Sequence, residues 1–172
     1  DCPYLIKPLR YAAYGSNLHP IRLGGRLPST RLLGTGHLPD WSLRFHKLSR
    51  DASGKCSIVS GDEGVHFAIF DISDDDKLEL DRIEGVGSGY AATSLLIPPF
   101  GDCATYIAEA SHVDEALRPY DWYREFVLAG ATYHDFPADY VAHIDAVRAI
   151  KDPDIERSAA MWALAERIRA GA

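Results

Sequence analysis

Apolar and polar positions along this chain follow two periods, a strand-like one in its first two thirds and a helical one towards its end. Residues 10–13 read as a short buried strand that runs into the polar turn Gly15-Ser16-Asn17. Pro20 then suits the first turn of a helix, and Ser16 or Asn17 is placed to cap it. Residues 30–36 form a second strand-like run, and Trp41-Ser42-Leu43-Arg44-Phe45 alternates as a half-buried strand does. Residues 49–55 read as a polar loop. Residues 65–72 are apolar on both faces until their end, which predicts a strand in the middle of a sheet or barrel. Two further strands are predicted over 90–97 and 103–108.

Helical signals interrupt this pattern and then replace it. Ser73 with Asp76 three places on predicts a capped helix that carries Leu78, Leu80 and Ile83 and stops near Gly85. Residues 120–131, 137–150 and 153–169 show helical periodicity, the last with Asp152 positioned to cap it. Strands come mostly first and helices mostly last. The reading is α+β, a mixed or antiparallel, barrel-like sheet with flanking helices, as a single domain over 1–172 without internal repeat or linker.

Composition narrows the function classes. At 172 residues and 47% hydrophobic content there is enough chain for an ample core. A net charge of -7 with scattered Lys and Arg argues against nucleic acid as the main partner. No apolar run reaches the roughly 20 residues that span a bilayer, so no membrane role is expected. Asp1-Cys2-Pro3 lacks the basic and apolar regions of a signal peptide. Cys2, Cys56 and Cys103 are an odd, widely spaced set and read as reduced thiols, which makes the cytoplasm the expected compartment. The seven histidines show no metal-ligand spacing, and Asp74, Asp75 and Asp76 read as a helix start offsetting the dipole. Neither metal nor cofactor is expected.

Gly85-Val86-Gly87-Ser88-Gly89 follows a helix and leads into a strand, the reverse of a dinucleotide fingerprint, and no P-loop is present. Tyr14-Gly15-Ser16-Asn17 lacks the GxSxG elbow, so Ser16 reads as a cap or a polar pocket contact. Glu84 stands out. It closes the capped helix beside Ile83 and Val86, just before a flexible turn. On an open surface it would be an ordinary solvated carboxylate; in an apolar recess its pKa would rise and suit a proton shuttle.

Residues 11–18, Tyr11-Ala12-Ala13-Tyr14-Gly15-Ser16-Asn17-Leu18, resemble the tyrosine-glycine-serine-asparagine loop of the γ-glutamylcyclotransferase (AIG2-like) family. Leu80-Asp81-Arg82-Ile83-Glu84-Gly85-Val86, with Tyr90 close behind, is similar to that family's catalytic-glutamate segment. The stretch from Trp122 to Ala131, followed by Phe136-Pro137-Ala138-Asp139-Tyr140, resembles its late helix pair. The match spans roughly residues 10 to 150. The resemblance implies cyclisation of a small γ-glutamyl amide to 5-oxoproline, with release of an amine and no cofactor. It implies Glu84 as base and then acid, the loop Tyr14, Gly15, Ser16, Asn17 and Leu18 as oxyanion cradle, and Tyr90 and Tyr123 holding the polar end of the glutamyl group. Two departures stand against the family pattern: Phe67 after His66, where many members have glycine, and an additional segment over residues 1–9. Phe67 either narrows the pocket or repacks the barrel. A non-catalytic binding module on the same fold is the alternative reading. An amidohydrolase using water would need a nucleophile that the sequence does not offer.

Overall fold

The computed structural model describes residues 8–171, so Cys2 and most of the additional N-terminal segment lie outside the described residues. In chain order the elements are β1 (Leu9–Ala13), α1 (Pro20–Arg26), β2 (Arg31–Leu38), β3 (Trp41–Leu48), β4 (Gly54–Ser60), β5 (Val65–Ile72), α2 (Asp74–Glu84), β6 (Tyr90–Ile97), β7 (Gly101–Ala108), α3 (Asp121–Tyr133), α4 (Ala138–Asp145) and α5 (Ile155–Arg169). Five strands form one sheet in the order β2-β5-β1-β7-β6. Only β1 and β7 run parallel, with Tyr11 opposite Ala104; the other pairings are antiparallel. The sheet is therefore mixed. β5 lies between β2 and β1, as its two apolar faces require, and Phe67, Ile69 and Phe70 are buried there.

The sheet does not close on itself. β3 and β4 form a separate two-stranded hairpin, and this hairpin completes the enclosure through side chains. The Ala108 N–H at the end of β7 donates to Ser57 Oγ on β4 at 3.0 Å, and Phe45 of β3 meets Tyr123 of α3 edge to face. Helix α3 is the one most immersed in the core, through Trp122, Tyr123, Phe126 and Val127. Helix α5 covers its outer side, where Trp162 Nε1 donates to Asp121 at 3.1 Å and Arg169 pairs with Glu125 at 2.9 Å.

Four local expectations are corrected. Strand β4 begins at Gly54, inside the expected polar loop, because Gly54, Cys56 and Ser57 are small enough to be buried beneath the hairpin. Helix α4 stops at Asp145, well short of residue 150. The cap of α5 is Asp154, which accepts from the Arg157 N–H at 3.0 Å, since Asp152 is drawn inward by Trp122 and Arg157. Helix α1 is capped by neither Ser16 nor Asn17: His19 Nδ1 accepts from the Ile21 N–H at 3.1 Å, which leaves both loop residues for other work. Phe67 packs edge to face on the back of Tyr14, so its bulk repacks the core without narrowing the recess described next.

Candidate active site

Strand β1 delivers the chain from the middle of the sheet into the loop of residues 14–18, and this loop forms one wall of a narrow recess of about 310 Å³. Gly15 allows the wall to sit close. A Cβ there would stand 3.0 Å from Cys56 Cβ and 3.4 Å from the Tyr123 hydroxyl, tighter than side chains normally pack. Gly130 holds the loop from behind, where a Cβ on α3 would come within 2.4 Å of Leu18 Cβ. The Leu18 N–H closes the turn onto the Gly15 carbonyl at 3.2 Å. Among the described residues, the N–H groups of Ser16 and Asn17 have no acceptor, and both residues line the recess.

Glu84 forms the opposite wall. Ser73 caps the start of α2 by accepting from the Asp76 N–H at 3.1 Å, and Asp76 in turn accepts from Ser29 N at 2.8 Å. Asp81 accepts from the Tyr106 hydroxyl and from Lys77 Nζ, each at 2.5 Å, which fixes the helix against β7. Gly85, at φ 70°, ends the helix in a left-handed turn immediately after Glu84. A helix pinned along its length therefore places its last side chain reproducibly. The Glu84 carboxylate reaches the loop, and Asn17 Nδ2 donates to its Oε1 at 3.1 Å. The same amide group touches the Tyr11 hydroxyl at 3.3 Å, while Asn17 Oδ1 accepts from Arg26 Nη1 at 3.3 Å.

Burial raises the Glu84 pKa above the ordinary carboxylate value of 4.5; Arg26, the Asn17 hydrogen bond, Lys47 and Arg22 pull it back in part. Its place at the negative end of α2 works in the same direction as burial. A carboxylate so disposed exchanges protons near neutrality more readily than a solvated one. The surrounding hydroxyls stay neutral, because burial raises the pKa of Tyr14, Tyr90 and Tyr123, and it pushes the Cys56 thiol up to about 12. Cys56 is thus a poor nucleophile, but its backbone organises the site. The Tyr90 hydroxyl donates to the Cys56 carbonyl at 2.5 Å, and the Cys56 N–H donates to the Tyr123 hydroxyl at 2.9 Å. Tyr90 has spent its proton within the protein, whereas the Tyr123 hydroxyl has the Cys56 side chain as its further partner.

Tyr14, Gly15, Ser16, Asn17, Glu84, Tyr90 and Tyr123 all line the recess, although they come from four separate parts of the chain. Leu18 does not. Its side chain is fully buried against α3, its N–H is used in the turn, and its carbonyl oxygen lies 2.6 Å from His134 Nε2, so it supports the loop from the core side. Tyr11, Cys56, Thr105 and Tyr106 complete the lining and were not anticipated. The buried strand expected over residues 10–13 was a readable signal for Tyr11; nothing local marked Cys56, whose strand was not predicted. Among the described residues no group of three His, Cys, Asp or Glu is placed to hold a metal ion, and no helix is long and apolar enough to cross a membrane.

Three solved structures show the same architecture. A gamma-glutamyl cyclotransferase matches at 22% identity over 94% of this chain and 99% of its own, with a TM-score of 0.81. An uncharacterized protein from Homo sapiens matches at 23% identity over 93% of this chain and 99% of its own, with a TM-score of 0.80. YkqA from Bacillus subtilis matches at 18% identity over 83% of this chain and 56% of its own, with a TM-score of 0.69. No family model and no curated protein matches the sequence. At these identities the likeness is one of fold: the chain has the γ-glutamyl cyclotransferase fold that its motifs predicted.

Proposed function

We propose that the protein is a γ-glutamylcyclotransferase, and that the recess between the Tyr14–Asn17 loop and Glu84 is its active centre. One observation carries this reading. A single desolvated carboxylate shares a narrow recess with a tight turn whose Ser16 and Asn17 N–H groups have no partner among the described residues. The fold shared with a gamma-glutamyl cyclotransferase supports it.

In this mechanism the α-nitrogen of the γ-glutamyl group attacks its own γ-carbonyl carbon, and the new C–N bond closes a five-membered ring. The carbonyl oxygen takes up negative charge, which the Ser16 and Asn17 N–H groups meet. Preorganised donors of this kind are worth roughly 3–4 kcal/mol each. The old C–N bond then breaks and the amine departs. Two protons move in all, as the α-ammonium becomes the ring N–H and the amide N–H becomes the released ammonium. Glu84 takes each from the first nitrogen and hands it to the second, so it ends as it began. Asn17 holds the carboxylate in place, and Tyr123 offers its hydroxyl proton to the glutamyl carboxylate. Because both reacting groups belong to one molecule, folding the substrate into the recess supplies much of the rate.

The test is a panel of γ-glutamyl peptides and amines assayed for 5-oxoproline. Its appearance with one equivalent of free amine is the expected result. Free glutamate in its place would indicate attack by water, and binding without turnover would leave a module that only recognises its ligand.

A further inference from the structure

Beyond Ser16, Glu84, Tyr90 and Tyr123 the recess opens into a second, wider hollow of about 910 Å³. In a chain of net charge -7, its walls gather Arg22, Arg26, Lys47 and Lys55 against only two carboxylates, Asp51 and Glu84. Two of these cations are accounted for. Lys55 pairs with Asp51 at 3.1 Å, and Arg26 is engaged by Asn17 beside Glu84. Arg22 and Lys47 are not: neither has an ion pair among the described residues.

Both are held where an unpaired charge is costly. Lys47 is buried, with its ammonium 4.4 Å from the centre of the Tyr90 ring. The guanidinium of Arg22 lies 4.8 Å over Phe126, and its buried Nε has no hydrogen-bond partner among the described residues. Burial lowers the Arg22 pKa to about 10, which leaves it charged at neutral pH. A register shift in β3 after Arg44 also sets Lys47 directly opposite Lys55 on β4. Like charges facing each other across a strand pair destabilise it. Glu84 and the two aromatic rings offset these charges in part, but neither cation has an ion pair among the described residues, so a ligand carboxylate would complete their pairing.

We infer that this hollow receives the departing amine, and that the amine is a dicarboxylic amino acid whose two carboxylates meet Arg22 and Lys47. The inference rests on the reading that the inner recess takes the γ-glutamyl group. The inner recess is lined by neutral hydroxyls and backbone N–H groups around Glu84, so the surplus positive charge lies on the side from which the amine leaves.

The test compares kcat/KM for 5-oxoproline release from γ-glutamyl-glutamate, γ-glutamyl-glutamine, γ-glutamyl-alanine and a γ-glutamyl alkylamine. The glutamate and glutamine compounds have nearly the same shape, so their ratio reports charge alone. The expected ratio is about tenfold or more in favour of glutamate, the size of one charge-assisted hydrogen bond, and the alkylamine should be the poorest of the four. Lys47→Gln and Arg22→Gln should each collapse that ratio, as should raised salt. Because the readout is a ratio on one protein sample, partial misfolding of a variant cancels. Equal values for glutamate and glutamine overturn the subsite while leaving the cyclotransferase reading standing. A ratio that survives both substitutions overturns the assignment to these two residues. No 5-oxoproline from any of the four overturns the underlying reading, and the subsite with it.

Discussion

Two inward-facing acids, Glu84 and Asp152, are treated in opposite ways by this fold. Asp152 is saturated. Its oxygens accept from Trp122 Nε1 at 2.9 Å, from Asp154 N at 2.9 Å, and from Arg157 Nε and Nη2 at 2.6 Å each. The Arg157 bonds above all hold its pKa well below the ordinary aspartate value. Glu84 accepts one hydrogen bond, from Asn17, and burial drives its pKa the other way. A carboxylate that only has to join helices α3 and α5 is given every donor it can use. One left short of donors stays ready to take a proton, which is what a proton carrier requires and what a structural residue avoids.

The comparison is broken most directly by Glu84→Gln, which keeps the shape and removes the titration. The expected loss in kcat is about 10³-fold, within the usual range for a general acid–base group, with KM changed by no more than a few fold. Asp152→Asn assayed alongside should leave kcat within about twofold, because Asp152 lies outside both hollows. If the two variants lose activity alike, the distinction drawn between the acids is wrong.

Asn17→Ala sharpens the contrast from the other side, by taking away the one donor Glu84 has. The hydrogen bond lowers the Glu84 pKa, so its loss raises that pKa further. In the proposed mechanism Glu84 acts as a base, and a base works only when ionised. The acid limb of the kcat/KM profile should therefore move to higher pH, with a fall of about tenfold at pH 7. A profile that drops uniformly without moving would mean that Asn17 serves the loop and not the carboxylate.

What could be read from the sequence divides along the same line. The position of Glu84 was legible because local signals set it: a serine cap, an acidic first turn and a glycine stop all lie within 13 residues. The central place of β5 was legible because a strand covered on both faces has no polar alternation to show. The Asn17 partner of Glu84 lies 67 positions away, and the bond from Cys56 to Tyr123 spans as many, so neither could be seen without the fold. Strand β4 was missed because its Gly, Ser and Cys residues carry no period. Asp152 and Asp154 are equally good caps by spacing; the choice between them was made by Trp122, thirty residues earlier. Helix and strand signals located the pieces of the site, and tertiary contacts decided how each acid is used.

Stability should separate the two acids next. A depressed folded pKa contributes stability above the unfolded value and loses it as the pH falls. Asp152→Asn should therefore lower the thermal midpoint by about 5 °C at pH 7, and this gap should close below the ordinary aspartate value of 3.8.

Glu84 has the opposite sign and the smallest effect. Its folded pKa is raised, so its contribution is favourable below the unfolded value of 4.5 and is lost as the pH rises through the folded one. Well above pH 4.5 the side chain is thus a burden on the fold, lightened by Arg26, Lys47 and Arg22 but not removed by them. Glu84→Gln should raise the thermal midpoint by about 2 °C at pH 8, and the gain should vanish below pH 4.5, where the native carboxyl is itself neutral. Paired melting curves of the two proteins at pH 4 and pH 8 measure this directly. A variant that melts lower than the native chain at pH 8 would mean that the three nearby cations need the charge of Glu84 more than burial opposes it, and the carboxylate would then belong with Asp152 as a structural partner.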